Sequence, residues 1–145
     1  AGKLSRLSAE TEQIVGKGLH DGAAVMADRI KAGIAGIRTD GPSDWERQRR
    51  EKQKAGLSES FGIARMQNDG GFLNVKMGFD GYNSVTTLKY PTGQPNVMVA
   101  RMFNSGTSSM SKQAFFDQAV NASRAAAKNT AVQKIEQEFE KINKE

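Results

Sequence analysis

Residues 97–142, VMVARMFNSGTSSMSKQAFFDQAVNASRAAAKNTAVQKIEQEFEKI, decide how this chain folds. They read as a short helix over 97–104, a break at Ser105-Gly106-Thr107, a polar loop, and a long amphipathic helix opening at Phe115-Phe116. In that helix Phe116, Val120, Ala127, Ala131, Ile135, Phe139 and Ile142 recur mostly at steps of four, with Ser123 filling one turn. That spacing lays them along one helical face. Glu136, Glu138, Lys141 and Lys144 fall off the face or beyond its end. A stripe of this length is the buried face of a core helix, and the rest of the chain must supply its partner surface.

The break has a local explanation. Gly106 can end one helix in a left-handed conformation, and Ser111 is expected to cap the next. Upstream, Ser8 is the expected N-cap of a first helix over about residues 9–36, with Glu10 and Glu12 in its first turn. Ile14, Leu19, Ala23, Met26, Ile30, Ile34 and Ile37 follow helical spacing. Gly16, Gly18, Gly22 and Gly33 interrupt it, each at a cost of roughly 1 kcal/mol relative to alanine. Such a helix needs either a backbone packed closely against it or an assembly to order it.

Thr39-Asp40-Gly41-Pro42 breaks that helix. Ser43 and Glu46 form a capping box, and a short, very polar helix should follow and fade before Gly56. It carries Arg47, Arg49, Arg50, Lys52 and Lys54, with Glu51 opposing them. This run is either a solvated face or a contact surface for acidic protein or a phosphate backbone. Trp45, the only tryptophan, either packs back onto the domain or anchors a partner.

A strand is expected over 61–67. Asn68-Asp69-Gly70-Gly71 is a hairpin turn signal, and Leu73, Val75, Met77 and Phe79 alternate with polar residues or glycine as in a half-buried strand. A third strand is expected over 85–89, closed by Pro91, Gly93 and Pro95, with Pro95 opening the next helix. The predicted fold is α+β: a small antiparallel β-sheet packed against two long α-helices, with an additional short polar helix.

Composition narrows the function. At 145 residues the default is one domain, 1–145. Only 37% of residues are hydrophobic, below the globular average, so part of the chain should be exposed or ordered by a partner. There is no cysteine and one histidine, His20, which rules out thiolate chemistry and any multi-histidine metal site within one chain. His20 has no titratable partner at useful helical spacing and reads as an ordinary surface or boundary histidine. No dinucleotide fingerprint, Walker loop, nucleophile elbow or EF-hand pattern occurs. The expectation is a protein without catalytic residues, metal or cofactor. A net charge of +5 permits nucleic acid or acidic protein as partner without choosing between them. No apolar run approaches the ~18 residues of a membrane span, and Ala1-Gly2-Lys3-Leu4 lacks a signal-peptide core. The chain is therefore expected to be made in the cytoplasm.

The order of these pieces carries a further signal. A long helix is followed by the basic segment 38–56, then Gly56-Leu57-Ser58-Glu59-Ser60-Phe61, the hairpin with Val75-Lys76-Met77-Gly78-Phe79, Asn104-Ser105-Gly106-Thr107, and Ala114-Phe115-Phe116 opening the terminal helix. This resembles the tail-completion or head–tail joining (neck) proteins of long-tailed bacteriophages. Gly56, Leu57 and Ser60 correspond to a Gly-x-Leu-x-x-Ser element of that family. Gly106 and Thr107 match its Gly-Thr element, and Ala114 with Phe116 its Ala-x-Pro-Phe opening of the last helix. Asn104 stands where the family carries an acid, Ser105 where it carries an aromatic, and no proline precedes Phe116.

The resemblance implies a structural virion protein. It would form a ring homo-oligomer, six-fold by family habit, that completes the tail tube and joins it to the head connector after assembly in the host cytoplasm. Its partners would be itself, the head-completion or connector protein and the tail tube protein, with passing contact with DNA in the channel and none with membrane. On this reading 38–56 projects, and Trp45, Arg47, Arg49, Arg50, Lys52 and Lys54 are contact residues, with Asn104, Ser105, Gly106 and Thr107 at a subunit boundary. The competing readings are a nucleic-acid-binding module using the 47–54 helix and a small cytoplasmic adaptor.

Overall fold

A computed structural model describes the backbone of residues 2–143 and the side chains of residues 9–143. The fold is α+β. Its elements are α1 (Gly2–Ala35), α2 (Asp44–Ser60), β1 (Phe61–Ile63), β2 (Gln67–Asp69), β3 (Phe72–Asn74), β4 (Met77–Phe79), α3 (Asn96–Ser105) and α4 (Phe115–Asn143). The strands form two small sheets, β1 with β4 and β2 with β3. Contacts gather the residues into two compact units: 1–27, 63–77 and 123–145, and 28–62 with 78–122.

The second unit holds most of the buried apolar side chains. Ile30, Ile34, Ile37, Leu57, Phe61, Val85, Val99, Ala100, Phe103, Phe115 and Ala119 are all buried. Helix α2 packs on α3. Phe61 stacks obliquely on Phe79, with ring centroids 5.1 Å apart. Phe79 in turn meets Phe115 edge-on and Phe116 at a tilt, each at 6.4 Å. Of the sheet face expected to meet the terminal helix, Leu73, Val75, Met77 and Phe79, the ring contacts are made by Phe79. The deep row of α4, however, is Phe115 and Ala119, while Phe116 and Val120 are half-buried. Periodicity locates a stripe to within one residue of rotation, and the close approach of α1 at Gly33, where a Cβ would lie 3.0 Å from Phe115 O, sets the rest.

Two expectations are corrected here. Helix α2 does not fade before Gly56 but runs through it to Ser60. A Cβ at Gly56 would lie 2.6 Å from Asn96 Oδ1 and 2.7 Å from Asn83 Cβ, so glycine serves there as a close-packing residue and not as a terminator. No strand forms over 85–89. The segment is instead held by buried amides: Asn83 Oδ1 accepts from the backbone N–H of Val85 at 2.9 Å, Asn83 N–H donates to Gln94 O at 2.9 Å, and Gln53 Nε2 donates to Gln94 Oε1 at 2.8 Å. Side-chain acceptors take the place of a ladder. Leu88, at the outer part of this loop, is fully exposed.

The first unit is thinly packed. Among the described residues its buried apolar side chains are Ile14 and Ala27. Close backbone approach supplies the rest: a Cβ at Gly22 would lie 2.7 Å from Ala127 O, and one at Gly18 would lie 2.8 Å from Ala131 O. The glycines that weaken α1 in isolation are therefore what let α4 lie against it in this unit. The helix begins at Gly2, so Ser8 lies inside it and does not cap it. Strands β2 and β3 pair Asp69 with Phe72 across Gly70-Gly71, whose φ angles of 61° and 91° suit a two-residue hairpin turn. The strand expected over 61–67 is split by 64–66, and its partner by 75–76. Glu138 sits among Lys17, Lys134 and Lys141 at 3.6, 3.3 and 3.3 Å. The hydrogen bond from Lys134, with that from Lys141 and the charges of Lys141 and Lys17, holds its carboxyl below the ordinary carboxylate value. Lys144 lies outside the described residues.

Candidate interaction surface

Helix α2 starts where the capping box places it: Ser43 is extended, and its Oγ accepts from Glu46 N–H at 3.2 Å. Trp45 in the first turn is 66% exposed. One turn on, the Arg49 guanidinium lies over its ring, 5.4 Å from the centroid, a cation–π pair. Tryptophan therefore does not pack back into the core. It forms an exposed ridge with Arg49.

The other cations of this helix have separate duties. Arg47 pairs with Asp44 at 2.8 Å within the first turn. Arg50 donates to the Asp40 carbonyl and ties down the α1–α2 link. Lys54 donates to Ala35 O at 2.9 Å and Ile37 O at 3.0 Å, capping the negative end of α1. Gln53, Gly56 and Leu57 are buried, so the C-terminal half of the expected projecting segment is packed within its unit. Arg49 and Lys52 belong to none of the described ion pairs.

The helix break is built by Asn104. Gly106, with φ 81°, donates its N–H to Met102 O at 2.8 Å and ends α3. The chain then turns through Thr107–Met110, where Thr107 N–H donates to Met110 O at 2.8 Å. Helix α4 begins at Phe115, four residues beyond Ser111, so the expected Ser111 cap is not formed. Asn104 Oδ1 instead accepts from Phe116 N–H and Asp117 N–H, both at 3.1 Å. The cap reaches across from the preceding helix, and Asn104 is a structural residue. Asn104→Ala should cost about 1 kcal/mol of stability, the usual loss for a missing cap, and urea unfolding will read it. Ser105 and Thr107 are exposed.

Two sets of predicted contact residues come together here. A cleft of about 300 Å³ is lined by Trp45, Arg49 and Arg50 on one side and Met102, Thr107 and Met110 on the other. A smaller one of about 210 Å³ shares Trp45 and Arg49 and includes Lys52 and Val85. Sequence reasoning missed the two methionines. Their signal was present, since they flank the Ser105-Gly106-Thr107 break, and methionine suits adaptable contact surfaces. The cleft offers a cation, an indole face, thioethers and hydroxyls, which is the chemistry of recognition. His20 is exposed on α1. Among the described residues no three His, Asp or Glu side chains gather as for a metal, and no described helix is long and apolar enough to cross a membrane.

No family model, curated protein or solved structure matches this chain.

Proposed function

We propose that this protein is a structural ring subunit of the neck of a long-tailed bacteriophage, completing the tail tube and joining it to the head connector. The observation that carries the reading is the exposed cleft in which the Trp45–Arg49 ridge meets the Thr107 turn. The basic run with Trp45 is expected to be a contact surface from its charge and residue types, and the Thr107 turn from its place at a subunit boundary; both line this one cleft. A second feature supports self-assembly. Among the described residues, the unit formed by 1–27, 63–77 and 123–145 buries few apolar side chains, while Phe72, Val132, Phe139 and Ile142 are exposed. Such surfaces are completed by neighbours. The partners on this reading are further copies of the chain, the connector or head-completion protein and the tail tube protein, and the work done is contact without turnover.

The nucleic-acid reading is weaker. Three of the five cations of α2 are engaged within the chain, leaving Arg49 and Lys52. Two phosphate contacts give only a shallow salt dependence and weak binding.

Mass photometry and negative-stain imaging of the pure protein, alone and with tail tube protein, test the proposal. Closed rings, six-fold by the resemblance, are expected. Thr107→Glu should keep the wild-type circular dichroism spectrum and lose the rings, because an interface repeated around a ring is disrupted at every subunit. A wild-type protein that stays monomeric at high concentration and beside tail tube protein would refute the proposal and favour the adaptor.

A further inference from the structure

The Trp45–Arg49 cleft has a complement on the same chain. Near its C-terminal end α4 carries Val132, Glu136, Phe139 and Glu140 within an arc of roughly 100°. Val132 is 44% exposed and Phe139 37% exposed, and both glutamates are exposed. Neither Glu136 nor Glu140 enters a described ion pair, in contrast to Glu138 on the adjoining face, which is held by three lysines. This is an acidic face with apolar anchors. The ridge is its converse: Arg49 lies over the Trp45 indole in a cleft with two thioethers and Glu46, Lys52 lines the neighbouring cleft that shares Trp45 and Arg49, and neither cation enters a described ion pair.

We propose that this face of α4 in one copy seats against the Trp45–Arg49 ridge of the next. Phe139 meets Trp45, Met102 and Met110, and Glu136 and Glu140 meet Arg49 and Lys52. The inference rests on the ring reading and names the surfaces that would close the ring. Because the two patches are different parts of one chain, the contact is heterologous. Each copy offers one donor face and one acceptor cleft, so the contact propagates and can close into a ring. It also places exposed apolar side chains of the thinly packed unit against another copy. Opposite charges then fix the register and disfavour face-to-face or cleft-to-cleft pairing.

Reciprocal charge reversal tests it. One variant carries Arg49→Glu and Lys52→Glu; a second carries Glu136→Lys and Glu140→Lys. Both should keep the wild-type circular dichroism spectrum, since exposed charges contribute little to stability. Alone, each should self-associate at least about tenfold more weakly than wild type in mass photometry, through like-charge repulsion at the contact. Mixed at equal concentration they should assemble again, because every contact in an alternating ring then pairs opposite charges; a six-fold ring has the even number this needs. Phe139→Ala should weaken assembly without any change of charge. Rings in wild type that persist in either charge variant, or a mixture that stays dissociated, would overturn this inference and leave the ring reading intact. Wild-type protein that forms no ring, alone or with tail tube protein, would overturn both.

Discussion

Phe103→Ala is expected to lower the unfolding free energy by about 3–5 kcal/mol, the range for removing a buried phenylalanine. Phe103 is completely inaccessible to solvent and lies in the buried set that includes Ile30, Ile34, Leu57 and Val99. Its carbonyl also accepts from Gln113 N–H at 3.0 Å, so the residue sits where the turn after α3 folds back before α4. A cavity there would remove dispersion contacts from a region held on the other side by the Asn104 cap. Phe115→Ala should fall at the lower end of the same range, since Phe115 is buried and meets the Phe79 ring edge-on. Phe116→Ala should cost less, about 1–2 kcal/mol, because the half-buried ring has less area to lose. Urea unfolding followed by circular dichroism will give the order. A larger loss at Phe116 than at Phe115 would mean that the steps-of-four stripe describes the core of α4 better than the observed burial does.

Gly22→Leu is the second large effect, and the alanine variants of the same helix decide its cause. In an isolated helix, glycine to alanine stabilises by roughly 1 kcal/mol. At Gly22 the new Cβ would meet the Ala127 carbonyl at 2.7 Å and the Ala131 methyl at 3.1 Å. A backbone carbonyl cannot rotate aside, so α4 must move away within this unit. The expected result is a net loss of about 1–3 kcal/mol for Gly22→Ala, as for overpacking elsewhere, and a larger one for leucine. Gly16 is the control. Its Cβ would meet only the Met66 thioether, at 3.1 Å from Sδ, and that side chain is flexible. Gly16→Ala should therefore raise stability by up to about 1 kcal/mol. Thermal melts of the two variants should move in opposite directions. If both rise, the close helix approach at Gly22 is not what the glycine provides.

Much of the interaction surface was legible as separate pieces. The basic run 47–54, the lone Trp45 and the Ser105-Gly106-Thr107 break stand out in one dimension. That they share a cleft does not, because Trp45 and Thr107 are 62 positions apart and meet only through the packing of α2 on α3. The cations also looked alike in the sequence. Only their partners separate Lys54, which caps α1, and Arg50, which ties the α1–α2 link, from Arg49 and Lys52, which remain available for a partner.

The sequence by itself determined the features governed by near neighbours: the α+β class, the start of α2 at the Ser43–Glu46 capping box, the Gly70-Gly71 hairpin, and the break that separates α3 from α4. Each depends on contacts within a few residues, where spacing and residue type carry the physics. Tertiary structure alone decided the rest. Helix α2 passes through Gly56, where Asn83 and Asn96 lie too close to admit a Cβ. Residues 85–89 are a loop in which Val85 N–H bonds to the Asn83 side chain and Thr87 closes a turn with Tyr90. Phe115 and Ala119 take the buried positions where α1 comes close, since a Cβ at Gly33 would lie 3.0 Å from Phe115 O and 3.8 Å from Ala119 Cβ. Asn104 caps α4 from the preceding helix, a bond that no local pattern encodes because its partners are 12 and 13 residues away.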